Sequence, residues 1–315
     1  MQPMSTIVIA GAAGRIGHAA AEAFIEAGWT VRGIARGAKL GRLPAGVEPV
    51  EADAMDREAM IAACAGADVI LHALNPPYDK WDELAMPMAE NVIAAARAAG
   101  ATVMLPGNVY NYGTAVRPGL TEDTPMAPDT EKGRIRVAIE DRLRAESETG
   151  LRSVVLRAGD FFGGPVDGSW FDLVIAKDLK KGRVVWPGRR DIDHAFAFMP
   201  DFARAFVMVA DRRETLPSFA RLHFAGHTVT GEAFHAAMET AVGRPLRKGA
   251  APWAIMRVIG LFNPLVREVV KMRYLWDTPH SLDNSRLEAL IGAEPHTPLE
   301  TALAEAVAAQ ALGGA

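Results

Sequence analysis

The stretch that decides the fold is the apolar run STIVIA (residues 5–10), followed directly by GAAGRIG (residues 11–17). An alanine-rich segment, residues 18–27, comes next and ends at Gly28. This order predicts a strand, a glycine turn and a helix. Such a turn binds phosphate, because the first N–H groups of the helix and the helix dipole face the anion. The sequence therefore predicts a site for the diphosphate of a dinucleotide near the N-terminus.

Each glycine of this turn has a separate steric task. Gly11 permits the tight turn, Gly14 lets the backbone approach a diphosphate, and Gly17 allows the helix to pack closely on the strand. The spacing is G-x-x-G-x-x-G and not G-x-G-x-x-G, so the prediction depends on the position of the turn between a strand and a helix. The loop residues expected to hold the cofactor are Gly11, Ala13, Gly14, Arg15, Ile16 and Gly17.

Strand and helix patterns alternate through the first half of the chain. Strands separated by helices pair in parallel through right-handed crossovers. The pattern predicts an α/β fold with a doubly wound parallel sheet of the Rossmann type. The strands are expected at residues 30–35, 47–51, 68–74, 101–105 and 151–157, and the helices between them at 56–65, 81–99 and 128–149.

The second half of the chain does not continue this alternation of strands and helices. Residues 159–193 are rich in glycine, proline and aromatic residues, whereas 194–210 and 221–225 look like a return to the edge of the sheet. We expect a dinucleotide-binding domain over residues 1–160, to which 191–228 return. Residues 161–190 and 229–315 would form a smaller C-terminal substrate-binding lobe over the carboxyl ends of the strands, where ligands bind in this architecture.

Composition narrows the class of protein. The chain has 315 residues, of which 50% are hydrophobic and 23% charged, and its net charge of −4 gives no reason to expect nucleic acid or an anionic membrane as partner. Cys64 is the single cysteine, which rules out a disulfide framework or zinc finger within one chain. No metal site is expected. Without a signal-peptide pattern or a membrane-spanning apolar run, we expect a cytoplasmic protein.

Together these residues resemble the short-chain dehydrogenase/reductase superfamily, on its extended or atypical branch, the NAD-dependent epimerase/dehydratase group. The resemblance is carried by residues 11–17, Asp53 after the third strand, residues 72–74 (HAL) and residues 157–163 (RAGDFFG). It implies that Asp53 meets the adenine and that Ala73 and Leu74 pass close to the cofactor. It also implies a monomer or a homodimer, but a fold analogy does not give the reaction.

The end of the second strand decides which dinucleotide is expected. An NAD site would place an acidic residue there to hold the ribose hydroxyls. The sequence instead reads GIAR over residues 33–36, and guanidinium groups suit bidentate contact with phosphate. Arg36 and Arg15 could both reach a 2′-phosphate, so NADP(H) is preferred and NAD(H) is possible.

The expected catalytic residues depart from the superfamily, which normally uses Tyr-x-x-x-Lys with a Ser or Thr after the fifth strand. Here Lys132 stands at the tyrosine position, Arg136 at the lysine position and Asn108 at the Ser position. In one interpretation, Lys132 is the acid or base, as in the isoflavone-reductase-like enzymes that this helix also resembles. Asn108 would then donate to a substrate carbonyl, while Tyr110 or Tyr112 relays a proton. In the other, Lys132 is an exposed residue in the first helical turn.

Three functions remain open from the sequence. The first is an NADP(H)-dependent oxidoreductase acting on a small organic carbonyl, enone or alcohol. The alternatives are a non-catalytic NADP(H)-binding sensor and an enzyme like the sugar-nucleotide epimerases and dehydratases. The small-molecule substrate would contact residues that core packing explains equally well, namely Asp160, Phe161, Phe162, Ser169, Trp170 and His194.

Overall fold

A computed structural model describes residues 4–166 and 168–313. Seven strands form one parallel sheet, which confirms the predicted fold class. In spatial order they are β10 (Phe219–His223), β6 (Ser153–Ala158), β5 (Thr102–Asn108), β4 (Val69–His72), β1 (Thr6–Ala10), β2 (Thr30–Ala35) and β3 (Glu48–Glu51). The order reverses between β4 and β1, and the crevice at this switch point is where such sheets bind ligands.

Helices cover both faces of this sheet, because alternate residues of each strand point to opposite sides. Ile7 and Ile9 of β1 face one apolar core, and Val8 faces the other. The first core lies under α1 (Arg15–Glu26) and α5 (Met199–Asp211). The second lies under α2 (Arg57–Ala63), α3 (Trp81–Ala99) and α4 (Glu131–Ser147).

The smaller lobe contains two short sheets. The strands β7 (Asp160–Phe162), β9 (Asp193–Phe198) and β11 (His227–Thr230) form one, and β8 (Arg183–Trp186) pairs with β12 (Arg247–Ala250) in the other. Its helices are α6 (Gly231–Val242), α7 (Trp253–Gly260), α8 (Pro264–Lys271), α9 (Tyr274–Asp277), α10 (Ser285–Ile291) and α11 (Leu299–Gly313). No helix in the described ranges is long and apolar enough to cross a membrane.

One part of the predicted return to the main sheet is wrong. Residues 193–198 pair with β7 and β11 and do not join the seven-stranded sheet. The alternating pattern of this segment fits the two-sided environment of any sheet, so it could not specify the partner. The second returning segment does reach the main sheet, where β10 pairs with β6 in parallel.

Candidate active site

A groove of about 530 Å³ lies at the carboxyl ends of the parallel strands, at the switch point between β1 and β4. The glycine loop forms one wall, the turn after β5 forms another, and Gly159–Phe161 after β6 approaches from the smaller lobe. The groove thus meets the predicted cofactor loop, the predicted catalytic turn and part of the predicted substrate segment.

The glycine loop is built for an anion. Gly11 has a φ of +90°, and a Cβ there would come within 2.8 Å of the Ala73 carbonyl oxygen, so only glycine fits. The Gly14 amide donates to the Gly11 carbonyl oxygen at 2.9 Å, which holds the turn closed. Helix α1 then begins at Arg15 with no acidic residue in its first turn. The first amides and the positive end of the helix dipole therefore fit a diphosphate.

The predicted cofactor residues fall into two groups. Gly17 is not among the described residues that line the groove; a Cβ there would meet Ala12 Cα at 2.9 Å, so this glycine permits packing of α1 on the loop. Asp53 also lies outside the lining. The others line the groove, namely Gly11, Ala13, Gly14, Arg15, Ile16, Arg36, Ala73 and Leu74.

Two cations stand at the end of β2. Arg36 Nη1 donates to Asp53 Oδ2 at 2.8 Å, and the two side chains are 59% and 44% exposed. Lys39, which the sequence analysis missed, lines the groove from the short helical turn after Arg36. In the sequence, its position three residues after Arg36 could have indicated a second cation at the end of β2.

Arg15 lies in a different environment from Arg36. Burial lowers the pKa of the Arg15 guanidinium, and the charges that oppose this shift belong to Asp172, Tyr110 and Asp160. A Cβ on Gly168 would lie 3.8 Å from Arg15 Nε. The two arginines expected to share a 2′-phosphate therefore have different neighbours, and Arg15 is near Tyr110 of the turn after β5.

The turn after β5 presents hydrogen-bond donors to the groove. Asn108 Oδ1 accepts from the Tyr110 backbone N–H at 3.0 Å. An oxygen must face that N–H, so the Asn108 Nδ2 donor remains available to a ligand. Tyr110 also lines the groove, and its Oη lies 3.2 Å from the hydroxyl of Tyr78, which comes from the loop after β4.

Arg136 brings a cation to the same place. Its Nη1 donates to the Pro106 carbonyl oxygen at 3.2 Å, and its guanidinium lies 4.7 Å from the Trp81 ring centroid. Within the described ranges it pairs with no carboxylate, and burial lowers its pKa. Burial also raises the pKa of Tyr110 to about 12, with Asp160 adding to the rise and Arg136 opposing it.

His72 is a buried histidine on the wall of the groove at the end of β4. Burial, reinforced by Arg136, lowers its pKa to about 3, so the ring is neutral at pH 7. Neither ring nitrogen has a hydrogen-bond partner in the part of the chain that the structure describes. In the sequence, His72 was notable only as part of the motif at residues 72–74, yet one nitrogen of its neutral ring can accept a hydrogen bond and the other can donate one.

Lys132 lies outside the groove. Its Nζ donates to Glu268 Oε2 of α8 at 2.7 Å and sits 4.1 Å from the centroid of the Tyr78 ring. The residue is only 2% exposed, so it is not the solvated residue of the alternative interpretation. It lines a neighbouring cavity of about 700 Å³, which shares Tyr78 and Trp81 with the groove.

Tyr112 also points away from the groove. Its hydroxyl accepts from Arg157 Nη1 at 2.6 Å and lies 3.2 Å from His223 Nε2, and the ring is fully buried. Arg157 in turn donates to Glu140 Oε1 at 3.0 Å and Oε2 at 2.5 Å. Since Arg221 Nε reaches the same carboxylate at 2.8 Å, Glu140 ties α4 to β6 and β10.

Two of the six predicted substrate residues line the groove, and the other four do not. Asp160 and Phe161 line the groove, and Asp160 Oδ2 lies 2.8 Å from His194 Nε2. His194 is buried behind it and stacks on Trp276 with the ring centroids 4.0 Å apart. The remaining three are packed elsewhere in the smaller lobe: Phe162 among aromatic rings, Ser169 against Asp172, and Trp170 against Trp253 and Trp276.

Comparison with known proteins assigns the class. The NAD dependent epimerase/dehydratase family matches residues 7–221, and the chain belongs to this family. This confirms the resemblance predicted from the sequence. The seven-stranded parallel sheet is also the Rossmann fold expected for a member of this family.

Individual relatives are more distant. A 3-diazoavenalumate denitrifying reductase from Streptomyces sp is 31% identical over 173 residues, which are 50% of this chain and 56% of that protein. The Bordetella bronchiseptica enzyme WbmH, solved with NAD+, superposes with a TM-score of 0.76 at 22% identity over 99% of this chain and 100% of its own. MoeE5 with UDP-glucose and NAD gives 0.77 at 18%, again over 99% and 100%. At these identities the solved structures establish the fold.

Proposed function

We propose that the protein is an NADP(H)-dependent oxidoreductase acting on a small organic carbonyl, enone or alcohol. The observation that carries this proposal is the lining of one groove. It joins an anion-binding glycine loop to cations at the end of β2, and continues to the hydrogen-bond donors Asn108 and Tyr110. The diphosphate of a dinucleotide needs the first feature, a 2′-phosphate needs the second, and the reduction of a polar double bond needs the third.

The preference for NADP(H) rests on charge at the end of β2. Arg36 and Lys39 line the groove there, and the strand ends without the acid that would hold ribose hydroxyls. The Arg36–Asp53 pair is about half exposed, so its interaction is worth at most about 1 kcal/mol. A 2′-phosphate would therefore compete readily for Arg36, because it carries more negative charge than a carboxylate and offers three acceptor oxygens.

The substrate side favours a small acceptor with one hydrogen-bonding oxygen. Asn108 Nδ2 and Tyr110 Oη can both donate to such an oxygen, while Phe161 offers an apolar contact. When bound, the cofactor supplies the hydride chemistry. The name of the Streptomyces relative, a reductase, agrees with this direction of reaction.

Substitutions at Asn108 test the function. NADPH oxidation is measured with a panel of aldehydes, ketones and enones, with UDP-sugars as the competing substrate class. Asn108→Ala removes the donor and is expected to lower kcat by about 100-fold, whereas Asn108→Ser restores a hydroxyl donor and most of the rate. NADPH binding without turnover of any compound would contradict the enzyme proposal and favour the sensor; turnover of UDP-sugars alone would favour the epimerase class.

A further inference from the structure

We propose that Tyr110 Oη delivers the proton of the reaction and that Tyr78 Oη resupplies it, so that two loop tyrosines replace the acid normally carried by α4. This inference rests on the proposed function. It assigns Tyr110 as the catalytic residue and Tyr78 as a relay that acts through it.

The two hydroxyls meet at the wall of the groove. Tyr110 lies in the turn after β5 and Tyr78 in the loop between β4 and α3, and both line the groove. Their Oη atoms are 3.2 Å apart, with Tyr78 as the donor. When Tyr78 donates to Tyr110, the hydrogen of Tyr110 itself is available to a ligand oxygen. Asn108 Nδ2, two residues before Tyr110, can donate to the same ligand.

Lys132 is badly placed for this task. Its Nζ is bonded to Glu268 and lies 4.1 Å from the centroid of the Tyr78 ring. Lys132 lines the neighbouring cavity and is not among the described residues that line the groove.

The charges around Tyr110 suit an acid. Burial raises its pKa to about 12, and Asp160 adds to the rise, so the phenol is protonated at neutral pH. Arg136 and Arg15 act in the opposite direction and stabilise the phenolate formed when the proton leaves. Burial also raises the pKa of Tyr78 well above its usual range, which keeps the second proton in place.

With these roles, each proton in the reduction of a carbonyl is accounted for. The carbonyl carbon gains the hydride that NADPH supplies, and the oxygen keeps the electron pair of the broken C=O π bond. That oxygen takes the proton of Tyr110 Oη, and Tyr110 takes the proton of Tyr78. Tyr78 is half-buried and borders both cavities, so it can recover a proton from water.

Three matched Tyr→Phe variants test the inference. Tyr110→Phe should lower kcat by about 100-fold or more, and Tyr78→Phe by a smaller factor, with the Kd for NADPH unchanged in both. Tyr274→Phe is the control for loss of a nearby buried phenol. Its hydroxyl has no hydrogen-bond partner in the described part of the chain, and Tyr274 lines the neighbouring cavity and not the groove. Its charge acts on Tyr78 and on Tyr110, so this variant also measures the purely electrostatic effect of removing a neighbouring tyrosine.

A second readout does not need turnover. The chain has 4 tyrosines, and their ionisation can be followed by near-ultraviolet absorbance after a rapid pH jump. NADP+ carries a positive nicotinamide ring, which should lower the pKa of an adjacent phenol by about one to two units. We expect this shift in the wild type and in Tyr274→Phe, and its loss in Tyr110→Phe.

The outcomes separate this inference from the proposed function. Wild-type turnover with an undiminished rate in Tyr110→Phe overturns the inference and leaves the oxidoreductase proposal standing. So does NADP+ binding that shifts no tyrosine. Failure of the wild type to bind either nucleotide overturns both. A selective loss of rate and of the tyrosine shift in Tyr110→Phe supports the assignment.

Discussion

Replacing Gly17 by alanine should damage cofactor binding more than it damages the fold. Gly17 lies in the first turn of α1, where alanine would improve helix propensity by about 1 kcal/mol. Steric contacts oppose this gain. A Cβ at Gly17 would lie 2.9 Å from Ala12 Cα and nearer still to the Gly11 carbonyl oxygen. Ordinary contacts begin at 3.4 Å, so Ala12 must move by about 0.5 Å and the Gly11 carbonyl oxygen by more.

The displaced atoms belong to the anion-binding turn itself. The Gly11 carbonyl oxygen accepts the Gly14 amide, and its movement would disturb that bond and the amides beside it. Overpacking of this kind costs about 1–3 kcal/mol. If most of the cost falls on the ligand-binding geometry, the Kd for NADPH rises by roughly 5- to 150-fold.

The assay is a fluorescence titration of NADPH beside thermal unfolding by circular dichroism. Gly41→Ala is the matched control, since a Cβ at Gly41 meets nothing within 4 Å. The control should bind NADPH like the wild type. If Gly17→Ala remains folded and binds NADPH as tightly as Gly41→Ala does, Gly17 is not needed for the shape of the phosphate-binding loop.

Three further predictions concern ion pairs. Glu140→Gln leaves buried arginines without their carboxylate partner and should lower the free energy of unfolding by about 3–5 kcal/mol. The Tm should therefore be lower than that of the surface control Glu131→Gln. Equal Tm values for the two variants would contradict the role given to Glu140. Asp53→Asn frees Arg36 from its ion pair and should tighten NADPH binding by up to about 5-fold in a titration. Weaker NADPH binding would show instead that the Arg36–Asp53 pair contributes to binding the cofactor. Lys132→Met should lower the Tm because a buried ion pair is lost, whereas the Kd for NADPH and kcat should change little. A large fall in kcat without a lower Tm would show that Lys132 takes part in the catalytic step.

The bounds of helices and strands could be predicted best where one residue, such as a glycine, ends the element. The predicted helix over 81–99 agrees with α3 in the structure, because Gly100 takes a φ of +68° and stops it. The turn over residues 11–17 was equally readable, since only glycine accommodates its backbone at Gly11. These features depend on contacts close in sequence.

The parts of the site that escaped prediction depend on distant contacts. Lys132 pairs with Glu268, which lies 136 residues further along the chain, and no pattern in α4 indicates that partner. Tyr110 and Tyr112 stand two residues apart, yet one lines the groove and the other is buried on Arg157. Tyr78 belongs to a loop without a motif, so only the fold could place its hydroxyl beside Tyr110.

The most direct measurement is a pair of fluorescence titrations on protein freed of any carried-over nucleotide, one with NADPH and one with NADH. A phosphate contact from Arg36, at about 1.5–3 kcal/mol, predicts that NADPH binds roughly 10- to 150-fold more tightly than NADH. Arg36→Ala should remove most of that difference and leave NADH binding unaltered. Equal or tighter binding of NADH would contradict the cofactor assignment, and no binding of either nucleotide would contradict the account of the glycine loop.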